Sequence, residues 1–155
     1  MQVTGTEDVA APIAHVFASI TAFDALERQA LRRGIDVRRR FKGQAPEIGE
    51  GWMARFRFRG KEREAFVLLE EYDAPQSLRF SGASGGLDTD TQIELVPLSP
   101  NKTRVNVVLK LSPKTLSARL LVQSLKLARS NINQRFKKRL AGYARDIEDR
   151  AAKSA

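Results

Sequence analysis

Apolar positions in the carboxyl-terminal third of the chain recur at intervals of three and four residues. From Thr115 to about Glu148 they are Leu116, Leu120, Leu121, Leu125, Ala128, Ile132, Phe136, Leu140, Tyr143 and Ile147. This spacing places side chains on one face of an α-helix. Pro113 and Thr115 supply a start signal before it. The pattern predicts one helix of roughly 30 residues, which would be about 45 Å long.

Through the middle of the chain, apolar and polar residues alternate with period two, which is typical of strands with one buried face. The predicted strands are Val3–Ala10, Ile35–Phe41, Trp52–Arg59, Glu62–Tyr72, Ser77–Gly82, Asp88–Leu98 and Val105–Leu111. The segment Gly43–Gly51 between two of them is predicted to be a loop. In Glu62–Tyr72 the apolar residues occupy both phases, which predicts a strand covered on both faces.

Two short helical segments lie between the first and second strands. Pro12 suits the first turn of one helix, and the second runs from about Ala22 to Arg33 and stops at Gly34. Short connections between the strands predict an antiparallel sheet, and helices gathered on one of its faces predict an α+β fold. We expect a single domain over residues 1–155, with a twisted sheet wrapped around the long helix.

Three segments carry a resemblance to a known family: residues 9–20 (VAAPIAHVFASI), residues 49–52 (GEGW) and residues 72–80 (YDAPQSLRF). They are similar to segments of the START-like superfamily, also called SRPBCC, which includes Bet v 1-like proteins and the polyketide cyclase/dehydrase group. The resemblance implies the helix-grip fold, in which a curved seven-stranded antiparallel sheet wraps a long carboxyl-terminal helix, with two short helices after the first strand. It also implies a hydrophobic cavity between sheet and helix, and it carries over no catalytic residue.

The composition narrows the classes of function. The 155 residues include no cysteine, so disulfides, thiolate metal ligands and cysteine nucleophiles are excluded. No apolar run is long enough to predict a membrane span, and the amino terminus lacks the regions of a signal peptide, so a cytoplasmic protein is expected. The formal charge of +9 admits nucleic acid, an acidic protein or an anionic membrane surface as partners, although a solvated basic surface is the favoured interpretation.

The predicted binding site lies on the apolar phase of the strands and on the long helix. Its residues are Arg39, Trp52, Phe56, Phe58, Glu64, Phe66, Phe80, Thr91, Leu125, Ile132 and Phe136. Arg39 would bind a carboxylate or an enolate, and Glu64 would act as a general base or pair with Arg39. For each residue taken singly, a solvent-exposed position is the favoured interpretation, because Arg and Glu are seldom buried. On the helix, Ile132 and Phe136 are the favoured ligand contacts, whereas Leu116 to Leu125 are expected to pack on the sheet or the short helices.

No other motif is assigned a chemistry. His15, the single histidine, has no partner placed by the sequence to complete a catalytic dyad. Asp88, Asp90 and Glu94 share a strand face, where balancing nearby arginines is favoured over cation binding. The run Arg55–Arg59 interleaves basic and aromatic residues, but in a strand the two kinds face opposite sides. No metal site and no cofactor are predicted.

Three functions remain open. The favoured one is non-enzymatic binding or carriage of a hydrophobic small molecule, with an anionic group as one option, because an apolar sheet face opposes an apolar helix stripe. The second is a polyketide cyclase- or dehydratase-like enzyme, which requires Arg39 and Glu64 to enter the same cavity. The third is an interaction module that presents a basic surface to nucleic acid, an acidic protein or a membrane.

Overall fold

The computed structural model describes residues 1–41 and 47–154, and these residues form strands and helices in an α+β arrangement. In chain order the elements are β1 (Gln2–Val9), α1 (Ile13–Ile20), α2 (Phe23–Arg32), β2 (Asp36–Arg39), β3 (Gly51–Phe58), β4 (Lys61–Asp73), β5 (Ser77–Ser84), β6 (Leu87–Ser99), β7 (Lys102–Pro113), α3 (Leu116–Leu127) and α4 (Arg129–Ser154). Of the predicted loop Gly43–Gly51, residues 43–46 lie outside the described residues.

The strands form one seven-stranded sheet in the order β1-β7-β6-β5-β4-β3-β2. All neighbouring strands are antiparallel, so the predicted helix-grip architecture is confirmed. In the described part of the chain, strands β2 to β7 lie in the sheet in sequence order, whereas β1 lies beside β7. The two short helices therefore bridge the full width of the sheet between β1 and β2.

The hydrophobic core lies between the inner face of the sheet and the helices α1, α2 and α4. Its buried members are Val9, Ala11, Val16, Phe17, Phe23, Leu69, Leu78, Leu95, Val105, Ala144 and Ile147. Alternate residues of each strand point to this face, because side chains in a strand alternate between its two sides. The end of α4 is also tied to the start of the chain, where the amide of Ala10 donates a 2.9 Å hydrogen bond to Glu148.

The predicted long carboxyl-terminal helix is present as α4, but it does not continue from Thr115 as predicted, because it is interrupted at Ala128. Ala128 has φ −100° and ψ 17°, outside the helical region, and it separates α3 from α4. One straight helix over both segments would measure about 58 Å at 1.5 Å per residue, longer than the sheet's longest strands at about 44 Å. The break lets α3 lie beside β7 while α4 crosses β1. Helix α4 then continues through Gly142 to Ser154.

Two expectations about side-chain direction are also corrected. On α3, Ala118 and Val122 are buried whereas Leu116 and Leu120 are exposed, so the packed face is offset from the predicted one. On β4, Leu69 is buried but the neighbouring phase is open to solvent, with Phe66 52% exposed. The strand β4 is therefore covered on one face only.

Candidate functional site

A cavity of about 440 Å³ lies between the inner face of the sheet, α2 and α4. Every strand of the sheet contributes to its wall. The lining residues are Glu7, Val9, Ile20, Phe23, Leu26, Glu27, Ala30, Val37, Trp52, Ala54, Val67, Phe80, Ile93, Val105, Val107, Leu140, Tyr143, Ala144 and Ile147. Among these residues the only ionisable groups are two carboxyls and one phenol, so the wall is mainly apolar.

Three aromatic rings of the cavity wall pack against one another. The Trp52 and Phe23 ring centroids are 4.9 Å apart with an interplanar angle of 75°, and Phe80 lies 6.0 Å from Trp52 and 6.4 Å from Phe23. Such edge-to-face contacts orient rings because the positive edge of one meets the negative face of another. The Trp52 indole is fixed further by a 3.0 Å hydrogen bond that Nε1 donates to Glu27.

Arg39 points inward but is already paired. Its side chain is 4% exposed, and its guanidinium contacts the carboxylates of Asp24 and Glu27 on α2, the latter at 3.4 Å. A buried guanidinium needs such partners, because an unpaired buried charge is costly. These two carboxylates balance the positive charge of Arg39, which therefore does not present a free cation to the cavity.

Glu7 is the second carboxylate of the wall, and it lies on β1 between Gly5 and Val9, in the phase that faces α4. Val9 is fully buried and Glu7 is half-buried. Within residues 1–41 and 47–154, no hydrogen bond or ion pair to its carboxylate is found. A half-buried carboxylate that borders an apolar wall is positioned to accept hydrogen bonds from a bound molecule.

Tyr143 supplies the remaining polar group of the wall from α4. Its hydroxyl donates a 3.3 Å hydrogen bond to the carbonyl of Ser19 on α1. Burial raises the pKa of Tyr143, because the phenolate would lose its hydration there, and the nearby Arg150 offsets part of that increase. The phenol therefore stays neutral at physiological pH.

The structure brings only part of the predicted site together. Trp52 and Phe80 line the cavity, whereas Phe56, Phe58 and Thr91 share the inward phase of their strands but lie outside the lining. Phe58 is the last residue of β3, and it is 37% exposed.

The expected inward direction of Glu64 and Phe66 is wrong. In the register of β3 and β4, Ala54 pairs with Ala65, and Ala54 faces the cavity. The residues on either side of Ala65 therefore point outward. Glu64 forms a 3.0 Å ion pair with Arg55 on the outer face, where both side chains are half exposed.

The helix residues predicted to contact a ligand also lie elsewhere. Leu125 belongs to α3, and neither it nor Ile132 or Phe136 is part of the cavity wall. Helix α4 reaches the cavity later in its length, with Leu140, Tyr143, Ala144 and Ile147. Phe136 packs on β1 instead, because Gly5 leaves room for its ring.

Several lining residues were not assigned to the site from the sequence, chiefly Glu7, Phe23, Glu27 and Tyr143. Glu7 carried a detectable signal, since it shares the phase of Val9 on a strand with one apolar face. The residues of α2 carried no such signal. Their amphipathic pattern shows that one face of the helix is buried, but it does not show which part of the protein that face covers.

The other candidate groups do not form a second site. Asp90 pairs with Arg79 at 3.1 Å on the outer face, as expected for a balanced charged surface. Among the described residues no group of three His, Asp or Glu side chains could hold a metal ion. Over the same residues, no helix is both long and apolar enough to cross a membrane.

Comparison with known proteins finds similarity in structure and not in sequence. No family model and no curated protein matches the chain. A protein of Thermus thermophilus superposes with a TM-score of 0.65 at 13% identity, covering 100% of this chain and 99% of its own. A START superfamily protein of Mycobacterium smegmatis gives 0.56 at 15% identity, covering 86% of this chain and 95% of its own.

A third similar structure is that of an enzyme with small molecules bound. It is norcoclaurine synthase from Thalictrum flavum in complex with dopamine and hydroxybenzaldehyde, with a TM-score of 0.65 at 12% identity, covering 96% of this chain and 87% of its own. Similarities at such low identity establish the fold, and a fold can carry many unrelated functions.

Proposed function

We propose that this chain, which has the START-like helix-grip fold, binds and carries a hydrophobic small molecule in the cavity between its sheet, α2 and α4. The observation that supports this proposal is the cavity itself, which has a volume of about 440 Å³ and a mainly apolar wall. Small-molecule sites typically measure roughly 300–1,000 Å³ and combine an apolar wall with a few polar groups. A cavity of this kind in a core that is otherwise packed favours an occupant.

The polar groups of the wall favour a neutral or cationic ligand over an anionic one. Glu7 is a carboxylate without an ion-pair partner among the described residues, Glu27 is a carboxylate already paired with Arg39, and Tyr143 is a neutral phenol. No Lys, Arg or His is among the lining residues. The anionic option rested on Arg39, whose charge is balanced by Asp24 and Glu27. A ligand with an amine or hydroxyl donor would complement the free carboxylate of Glu7.

The structure does not favour the cyclase- or dehydratase-like alternative. It required Arg39 and Glu64 in one cavity, and these side chains lie on opposite faces of the sheet. Norcoclaurine synthase shows that an enzyme can have this fold. At 12% sequence identity, however, none of its catalytic residues can be assigned to a position in this chain. Binding without chemistry is therefore the function that the geometry supports best.

Native mass spectrometry of the purified protein tests this proposal. We expect an added mass on the folded wild-type protein that disappears on denaturation and is recovered in an organic extract. Val107→Phe, which places a ring in the cavity, should remove the added mass. An added mass that is equal in wild type and Val107→Phe would contradict binding in this cavity, and so would a wild-type protein with no added mass.

A further inference from the structure

Helix α3 exposes a row of leucines, here called the leucine strip, formed by Leu116, Leu120 and Leu127. Their exposed fractions are 73%, 63% and 92%. Large apolar side chains that are exposed together on one element mark an interaction surface more often than isolated ones do. The strip lies outside the cavity wall, so it is unexplained by the proposed function.

Helical geometry places the three leucines together. Steps of four and seven residues return to nearly the same face of an α-helix. The opposite face, with Ala118 and Val122, is the one that packs against the protein. Both faces of α3 are therefore apolar, and the fold uses only one of them.

Basic side chains flank the strip. Arg119 and Lys126 are exposed along one edge of the helix. On the other edge lies Ser124, whose hydroxyl accepts a 2.7 Å hydrogen bond from Arg59. The strip thus runs between cations, and α3 itself contains no acidic residue.

The basic character extends from the end of β6 to residue 145 of α4. Between Glu94 and Asp146 the sequence has no Asp or Glu. The basic residues there are Lys102, Arg104, Lys110, Lys114, Arg119, Lys126, Arg129, Arg135, Lys137, Lys138, Arg139 and Arg145. A partner for this region must therefore tolerate or supply negative charge.

We infer that α3 docks on an anionic lipid surface, with the leucine strip in the boundary between headgroups and acyl chains. Interfacial helices combine an apolar face with Lys and Arg at its edges, and their binding grows with buried apolar area and with anionic lipid. The exposed leucines supply the first component. Arg119, Lys126 and Arg59 supply the second.

Two other partners fit the strip less well. Nucleic acid binders pair cations with aromatic rings on which bases stack, whereas the exposed apolar side chains of α3 are aliphatic. A second copy of the chain would bring the basic edges of two helices together, and like charges in contact repel each other. An anionic bilayer satisfies both the leucines and the cations.

The inference is independent of the cavity proposal. Docking would hold even if the cavity bound nothing, because none of the strip residues lines it. If both hold, the membrane is a place where a hydrophobic ligand enters or leaves the protein.

Sedimentation with vesicles tests the docking. We expect the wild-type protein to bind vesicles of phosphatidylcholine with phosphatidylglycerol, and to bind pure phosphatidylcholine far more weakly. Leu120→Ser with Leu127→Ser should weaken binding more than tenfold, because both side chains lose apolar burial. The matched control is Leu31→Ser, which removes a leucine of similar exposure, 64%, from α2 and should leave binding unchanged.

Charge variants test the electrostatic part. Arg119→Gln with Lys126→Gln should weaken binding by about fivefold for each charge removed. Arg32→Gln with Arg33→Gln changes the net charge equally at exposed positions outside α3, and it should have a smaller effect. Equal effects of the two pairs would show that only net charge matters and would overturn the assignment to α3.

A single label gives a direct readout of insertion, because the chain has no cysteine. An environment-sensitive fluorophore on Leu120→Cys should shift to shorter wavelength on anionic vesicles, whereas the same label on Leu31→Cys should not. Identical spectra at the two sites would overturn the proposal. So would a wild-type dimer in solution that the serine variants dissociate, or binding to single-stranded nucleic acid with no binding to anionic vesicles.

Discussion

The ring of Phe136 lies against the backbone of Gly5, so closely that a Cβ on Gly5 would stand 2.7 Å from the ring's Cε1 atom. The same Cβ would stand 2.9 Å from Cδ2 of Leu140. Helix α4 therefore approaches β1 only because residue 5 has no side chain. The approach also sets the position of the cavity wall, since Leu140 and Tyr143 follow on the same helix.

Gly5→Ala should destabilise the protein by about 1–3 kcal/mol, the usual cost of overpacking a well-packed core. The new methyl group must displace an aromatic ring and a leucine, both held by α4. The free energy of unfolding from denaturant titration measures the effect. Phe136→Leu should recover part of the loss in the Gly5→Ala background, because it removes the closer contact.

Gly142→Ala is the matched control for Gly5→Ala. Gly142 lies inside α4, and a Cβ there would meet no heavy atom within 4 Å. The substitution should stabilise the protein by roughly 0.5–1 kcal/mol, because alanine favours a helix over glycine. If both glycine variants shift stability in the same direction, the close contact at Gly5 does not have the role assigned to it.

Tyr143 should produce a loss of stability at alkaline pH. Burial raises its folded-state pKa above the ordinary 10.0, so the unfolded chain ionises first as the pH rises. Its contribution is fully present below the unfolded pKa and is lost as the pH rises through the folded pKa. We expect the free energy of unfolding to fall less steeply above about pH 10 in Tyr143→Phe than in wild type. Equal slopes would show that the phenol ionises alike in both states.

Glu7→Gln should lower the affinity for a cationic ligand more than the affinity for a neutral one. We expect it to weaken binding of 1-naphthylmethylamine, a cationic probe, by about tenfold, which is about 1.4 kcal/mol. Binding of the neutral probe N-phenyl-1-naphthylamine should change little, because that probe has no cation to pair with the carboxylate. Probe fluorescence titrations measure both affinities.

Glu62→Gln controls for the change in net charge, since Glu62 is exposed on β4 and lies outside the cavity wall. It should leave both affinities unchanged. A Glu7→Gln variant that weakens both probes equally would indicate a change of cavity shape and would remove the argument for a cationic or donor ligand.

The architecture could be predicted from the sequence, because in most elements apolar residues recur clearly at every second position, as in a strand, or at every third or fourth position, as in a helix. β3 and α4 illustrate this, since their apolar positions match the buried face of a strand and of a helix. The patterns failed where both faces are apolar. In β4 the phase with Phe66 looked as buried as the phase with Leu69, and pairing with β3 decides between them. In α3 the same ambiguity concealed the exposed leucine strip.

The candidate site was less accessible, because it depends on which elements meet. Trp52 and Phe80 could be assigned as large apolar residues on inward phases. That Glu27 would meet Trp52 and Arg39 depends on α2 lying over β2 and β3, which no local pattern specifies. The break at Ala128 was equally hidden, since neither Gly nor Pro occurs there. The lining residues of α4 lie beyond Phe136.

The central claim is that the cavity binds a hydrophobic molecule, and titration of N-phenyl-1-naphthylamine into two neighbouring variants tests it most directly. Val107 lines the cavity, and Val108 points to the other face of β7. We predict saturable binding by wild type and Val108→Phe, with loss of more than tenfold in affinity for Val107→Phe, provided that both variants give the wild-type circular dichroism spectrum. Equal binding by the two folded variants, or no saturable binding by wild type, would contradict the account.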